Sequence, residues 1–100
     1  MLRAQADAVR ENFVVGGKLK VIPARRNAKL VVFEWLAGQL DAGRRYAEAE
    51  INAAIGAAHP DFATLRRGMY DEYFLDRSDG YYWRTADKQN LVVVDEPSTL

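Results

Sequence analysis

The chain has 100 residues, 49% of them hydrophobic and 28% charged, the composition of one folded domain rather than of a disordered segment. Fourteen basic and fourteen acidic residues cancel, which counts against strong nonspecific affinity for nucleic acid but leaves room for a local basic patch. The lack of cysteine excludes disulfides, thiolate metal sites and thiol nucleophiles.

The first predicted element is an N-terminal amphipathic helix within residues 1–17. Leu2, Ala6, Val9 and Phe13 fall on one stripe, Arg3, Asp7, Arg10 and Glu11 cover the other side, and Gly16-Gly17 ends it. Those charges also interrupt any signal-peptide pattern, and no apolar run is long enough to span a membrane, so the cytoplasm is the expected location. Residues 18–22 alternate and predict a short strand with Leu19 and Val21 on one face. Pro23 then precedes a second helix over 25–40, whose main apolar face is Leu30, Phe33, Leu36, Ala37 and Leu40. Val31, Val32 and Trp35 lie off that stripe, so the helix should be covered on two sides, by the N-terminal helix or by a second subunit.

Asp41-Ala42-Gly43 marks a turn, and 44–46 a short extended piece. A third helix is predicted over 48–58 and a fourth over 61–73, separated by His59-Pro60-Asp61. Phe62, Leu65, Met69 and Tyr73 should point inward from the fourth. A hairpin follows, 74–77 against 81–84, with Ser78-Asp79-Gly80 as a three-residue loop pairing Leu75 with Trp83 and Arg77 with Tyr81. Residues 85–100 form a tail with a β-prone run at 91–94 that predicts a further strand.

This order predicts an α+β fold of winged-helix type: a three-helix core with a C-terminal β-hairpin wing, plus an additional N-terminal helix. The motifs Lys18-Leu19-Lys20-Val21-Ile22-Pro23-Ala24, Lys29-Leu30-Val31-Val32-Phe33-Glu34-Trp35-Leu36 and Tyr46-Ala47-Glu48-Ala49-Glu50-Ile51-Asn52 carry a family resemblance. So do Asp61-Phe62-Ala63-Thr64-Leu65-Arg66-Arg67, Phe74-Leu75-Asp76-Arg77 and Gly80-Tyr81-Tyr82-Trp83-Arg84. Over residues 18–84 the chain resembles a prokaryotic family of domains of unknown function, found in hypothetical proteins and in proteins described as transcriptional regulators. The resemblance implies a winged-helix-like fold and a link to transcription, with no catalytic residues to carry over. Three positions depart from the family pattern. Ala47 stands where a Thr or Ser would cap the third helix, Gly68 where a helix former is expected, and Tyr73 where glycine often precedes the hairpin.

Lys18, Lys20, Arg25, Arg26 and Lys29 place five cations in twelve residues with no acid among them, a candidate phosphate-binding patch. Arg44 and Arg45 extend the candidate set. Thr64 and Arg67 point outward from the fourth helix, the position of a recognition helix, although its net charge of −1 argues against base reading. Arg66 should turn inward and pair with a carboxylate such as Asp76 or Glu50. The aromatics Tyr70, Tyr73, Tyr81, Tyr82 and Trp83 fit core packing better than a stacking platform. His59 has no nucleophile or further ligands beside it, and no catalytic, metal or cofactor site is expected.

Two functions stay open at this point. The first is a DNA-binding regulator that holds double-stranded DNA through Lys18, Lys20, Arg25, Arg26, Lys29, Arg44, Arg45 and Arg67. The second is a protein-interaction module of the same fold, forming a homodimer through Leu2, Val9, Phe13, Val31 and Trp35 or the 91–94 strand.

Overall fold

The computed structural model describes residues 3–85; Leu2 and the 91–94 run lie outside them. The elements are α1 (Arg3–Phe13), β1 (Val14–Val15), β2 (Lys18–Leu19), α2 (Arg26–Ala37), β3 (Tyr46–Ala47), α3 (Glu48–Gly56), α4 (Phe62–Asp71), β4 (Leu75–Ser78) and β5 (Tyr81–Arg84). Among the described residues the fold is a small α+β arrangement of four helices and two antiparallel sheets.

Of the two roles that paired glycines favour, helix C-cap or turn, Gly16 and Gly17 take the turn. They form the two-residue turn of a β1–β2 hairpin, both at positive φ (58° and 76°), a geometry glycine adopts without steric cost. The strand after them is shorter than its alternation predicted. Leu19 is buried, but the chain bends at Lys20 and leaves Val21 exposed. The Leu19 amide donates to the Ala58 carbonyl oxygen (2.9 Å), tying this hairpin to the end of α3.

Helix α2 is the axis of the core. Val31, Val32, Phe33, Leu36 and Ala37 are all buried, and α1 and α4 both pack against it. Ala6 of α1 is buried, with Val9 and Phe13 half-buried beside the core. α1 and α4 therefore cover α2 on two sides, with Leu30 and Trp35 half-buried. One cluster joins α2 to Ile51 and Ile55 of α3, Leu65 and Met69 of α4, Phe74, and Leu75 and Tyr82 of the sheet. Phe33 and Phe74 meet edge to face, ring centroids 6.0 Å apart, an orientation that aromatic quadrupoles favour.

Gly68 explains how α4 approaches α2 so closely. A Cβ at this position would lie 2.5 Å from Phe33 Cζ. The lost helix propensity, about 1 kcal/mol, is the condition for seating the Phe33 ring. Helix α4 begins with Asp61 accepting from the Thr64 amide (3.4 Å), while the Asp61 amide donates to His59 Nδ1 (3.0 Å). The histidine is thus a loop-ordering group.

Helix α4 stops two residues earlier than its periodicity suggested. Tyr73 leaves the apolar stripe, takes φ 67° and is 68% exposed. The Phe74 amide reaches back to the Met69 carbonyl (2.7 Å) and the Tyr73 amide to that of Tyr70 (3.0 Å). This is a Schellman ending with tyrosine in the left-handed position that glycine normally fills. The strain there is about 1–2 kcal/mol.

The β4–β5 hairpin corrects the predicted register. Its loop has two residues, Asp79 and Gly80, at φ 54° and 83°, the two positive values of a type I′ turn. Pairing is Leu75 with Arg84, Asp76 with Trp83, Arg77 with Tyr82, and Ser78 with Tyr81. Leu75 and Tyr82 therefore share the buried face, and Asp76, Ser78 and Tyr81 the open one. β3 joins through Tyr46–Tyr82 and Ala47–Tyr81 pairs, giving the strand order β3-β5-β4. The Tyr46 hydroxyl accepts from the Asp41 amide (2.8 Å), and Arg84 donates to the Leu40 carbonyl oxygen (2.7 Å), fastening the end of α2 to the sheet.

Candidate functional site

Helix α4 and the β4–β5 hairpin converge on a cleft of about 460 Å³ lined by Arg66, Arg67, Tyr70, Asp71, Arg77 and Tyr82. Each element brings its cation for a local reason. Arg66 and Arg67 sit on successive positions of α4 beyond the buried Leu65, so they diverge toward the sheet and toward solvent. Arg77 lies on the helix-facing side of β4, opposite Tyr82. Its guanidinium stands 4.7 Å from the Tyr70 ring, and hydrogen bonding to the Tyr82 hydroxyl raises its pKa further above an already high value. Arg66 stands 5.6 Å over the Tyr82 ring. It donates to Asn52 Oδ1 of α3 rather than to Asp76 or Glu50. Arg67 is open to solvent, with its side chain 84% exposed and Asp71 3.7 Å away.

A second groove, about 350 Å³, runs along the other flank of α4 against α2. Its floor includes Phe33, Leu65 and Gly68, and its rim Lys29, Thr64, Arg67, Asp71 and Glu72. The outward ridge of α4 thus separates two depressions and contributes Arg67 and Asp71 to both.

The cations predicted from the basic run are dispersed. Lys18 donates to the Ala57 carbonyl oxygen (2.7 Å) at the end of α3, where a cation suits the helix dipole. Lys20 is exposed just beyond the β1–β2 hairpin. Arg25 precedes α2 and lines a separate shallow depression with Val9 and Arg26. Arg26 makes a two-point ion pair with Glu72, Nε to Oε2 at 3.1 Å and Nη2 to Oε1 at 2.8 Å, which raises its pKa. Of the run, only Lys29 borders the α4 groove with Thr64 and Arg67.

Arg44 and Arg45 are held on the sheet. Arg44 pairs with Glu50 (3.0 Å) and Asp41 (3.9 Å) and stacks 4.3 Å over Tyr46, while Arg45 stacks 4.3 Å over Trp83. Glu50 also accepts from the Ala47 amide (2.9 Å), and that bond, more than Arg44, holds its carboxyl below the ordinary glutamate range. The cap that Ala47 cannot provide is replaced in part by this reciprocal bond.

Among the interaction candidates, Val31 is buried within the chain, and Val9, Phe13 and Trp35 are half-buried. Sequence reasoning did not assemble Arg66, Tyr70, Arg77 and Tyr82 into a site. The usable signal was the two-residue Asp79-Gly80 loop, which fixes Arg77 opposite Tyr82 and aims both at α4. Among the described residues no group of His, Asp or Glu is placed to hold a metal ion.

Residues 18–84 match the model of a family described as an uncharacterized protein conserved in bacteria (DUF2087), and the chain belongs to that family. No curated protein and no solved structure matches the chain.

Proposed function

We propose that residues 18–84 form a winged-helix domain that grips duplex DNA by its phosphates and serves gene regulation. Support for the fold comes from the element order α2-β3-α3-α4-β4-β5 and from β3 pairing with the second hairpin strand. In that architecture α4 is the recognition helix and β4–β5 the wing. The carrying observation is the cleft between them, where Arg66, Arg67 and Arg77 face one carboxylate, Asp71, among the lining residues. Three guanidiniums on two rigid elements suit a phosphate backbone, which guanidinium binds through paired N–H donors. The zero net charge of the chain fits modest affinity that depends on this local patch.

The second reading, a protein-interaction module that binds no DNA, is favoured by one observation. Arg26, Arg44 and Arg67 each already face a carboxylate of the same chain. A single titration decides between them. The protein is added to a labelled random-sequence duplex at about 50 mM salt, and the salt is then raised. Binding through four to six phosphates gives a log–log slope of about −4 to −5. No binding at the lowest salt leaves the interaction module.

A further inference from the structure

Arg26 is the first residue of α2, at the positive end of that helix's dipole. Glu72 is the C-cap of α4, at the negative end of its own. Each charge is on the wrong end of its helix, and each is unfavourable there alone. The chain places them in two-point contact, so each compensates the other. Glu72 is the more enclosed partner, its side chain 29% exposed against 69% for Arg26. The backbone fixes it there, because the Glu72 amide is bonded to the Gly68 carbonyl (2.9 Å) and the Schellman turn follows at once. The carboxylate borders the same groove as Lys29 and Arg67.

We infer that Glu72 acts as an internal counterion that withholds Arg26 from DNA and so limits the affinity of the α2–α4 surface. The inference rests on the DNA-binding reading. A carboxylate paired with a guanidinium through two oxygens presents what a backbone phosphate would present. A phosphate must therefore displace Glu72 before Arg26 contributes, and the net gain of that exchange is small. Removing only the charge of Glu72 turns Arg26 into an available phosphate contact beside Lys29 and Arg67. The chain thereby keeps its nonspecific binding low, and Glu72 is the residue that sets it.

The test is a double-mutant cycle on the full chain, read as the salt dependence of binding to a random duplex. Glu72→Gln should bind roughly threefold to tenfold tighter at low salt, with a slope steeper by about one. Arg26→Ala alone should leave the slope unchanged, because Glu72 already occupies Arg26. Adding Arg26→Ala to Glu72→Gln should abolish the gain. Arg26 is solvent-exposed and Glu72 partly so, and the variants should melt within a few degrees of the wild type. If Glu72→Gln is too unstable to assay, the Arg26→Ala slope still serves to overturn the inference. A wild-type affinity and slope for Glu72→Gln, or a slope about one unit shallower for Arg26→Ala, overturns the inference while leaving DNA binding intact. Absence of binding by wild type and Glu72→Gln alike overturns both. Binding by Glu72→Gln alone supports the role of Glu72 and overturns DNA binding by the wild-type chain.

Discussion

Two groups of cations on this chain behave in opposite ways. Lys18, Lys20, Arg25, Arg26 and Lys29 are dense in sequence, yet the fold scatters them. One caps α3, one pairs with Glu72, and one borders the α4 groove. Arg66, Arg67 and Arg77 are separated by up to eleven positions and by a change from helix to strand, yet they line one cleft. Charge density along a chain is thus a poor guide to charge density on a surface. What gathers the second group is packing. α4 sits on α2 through Gly68, and β4 turns back beside α4 through the Schellman ending at Tyr73.

The largest test of that difference is Gly68→Ala. A methyl group at 2.5 Å from Phe33 Cζ must push a buried ring that is itself locked against Phe74. We expect a loss of about 1–3 kcal/mol in chemical denaturation, despite the roughly 1 kcal/mol that alanine gains in helix propensity. A stabilised Gly68→Ala protein would show that the α2–α4 contact has room for a methyl group and that the cleft is not held by it. A smaller effect is expected at the joint between α4 and β4. Tyr73→Gly should relieve the strain at φ 67° and stabilise the fold by up to about 1 kcal/mol, with the salt slope of DNA binding unchanged. A destabilised Tyr73→Gly would mean that the exposed tyrosine side chain contributes packing that outweighs its backbone cost.

Much of the fold was legible because apolar spacing survives folding unchanged. Phe33 and Leu65, on the predicted apolar faces of their helices, share one buried cluster with Ile55 and Leu75. The misreadings have local causes. A glycine in α4 looks like a defect until its neighbour is known to be a phenylalanine ring. Ser78 looks like loop, yet it pairs with Tyr81, because Asp79 and Gly80 alone complete the turn. That one-residue difference exchanges the faces of β4 relative to β5. It also hid the cleft, since Arg77 meets Tyr82 and α4 only in the observed register. That Lys18 and Arg26 are engaged within the chain could not be read from their neighbours, because their partners, Ala57 and Glu72, lie 39 and 46 positions away.

On the proposed reading, the convergent arginines, and not Lys18 and Lys20 of the basic run, hold the duplex. That reading is tested most directly by comparing Arg67→Ala/Arg77→Ala with Lys18→Ala/Lys20→Ala in the same salt titration on a random duplex. The arginine pair should make the slope shallower by about two units, and the lysine pair should leave it within about half a unit of wild type. The reverse order, with the lysine pair abolishing the slope and the arginine pair silent, would contradict it.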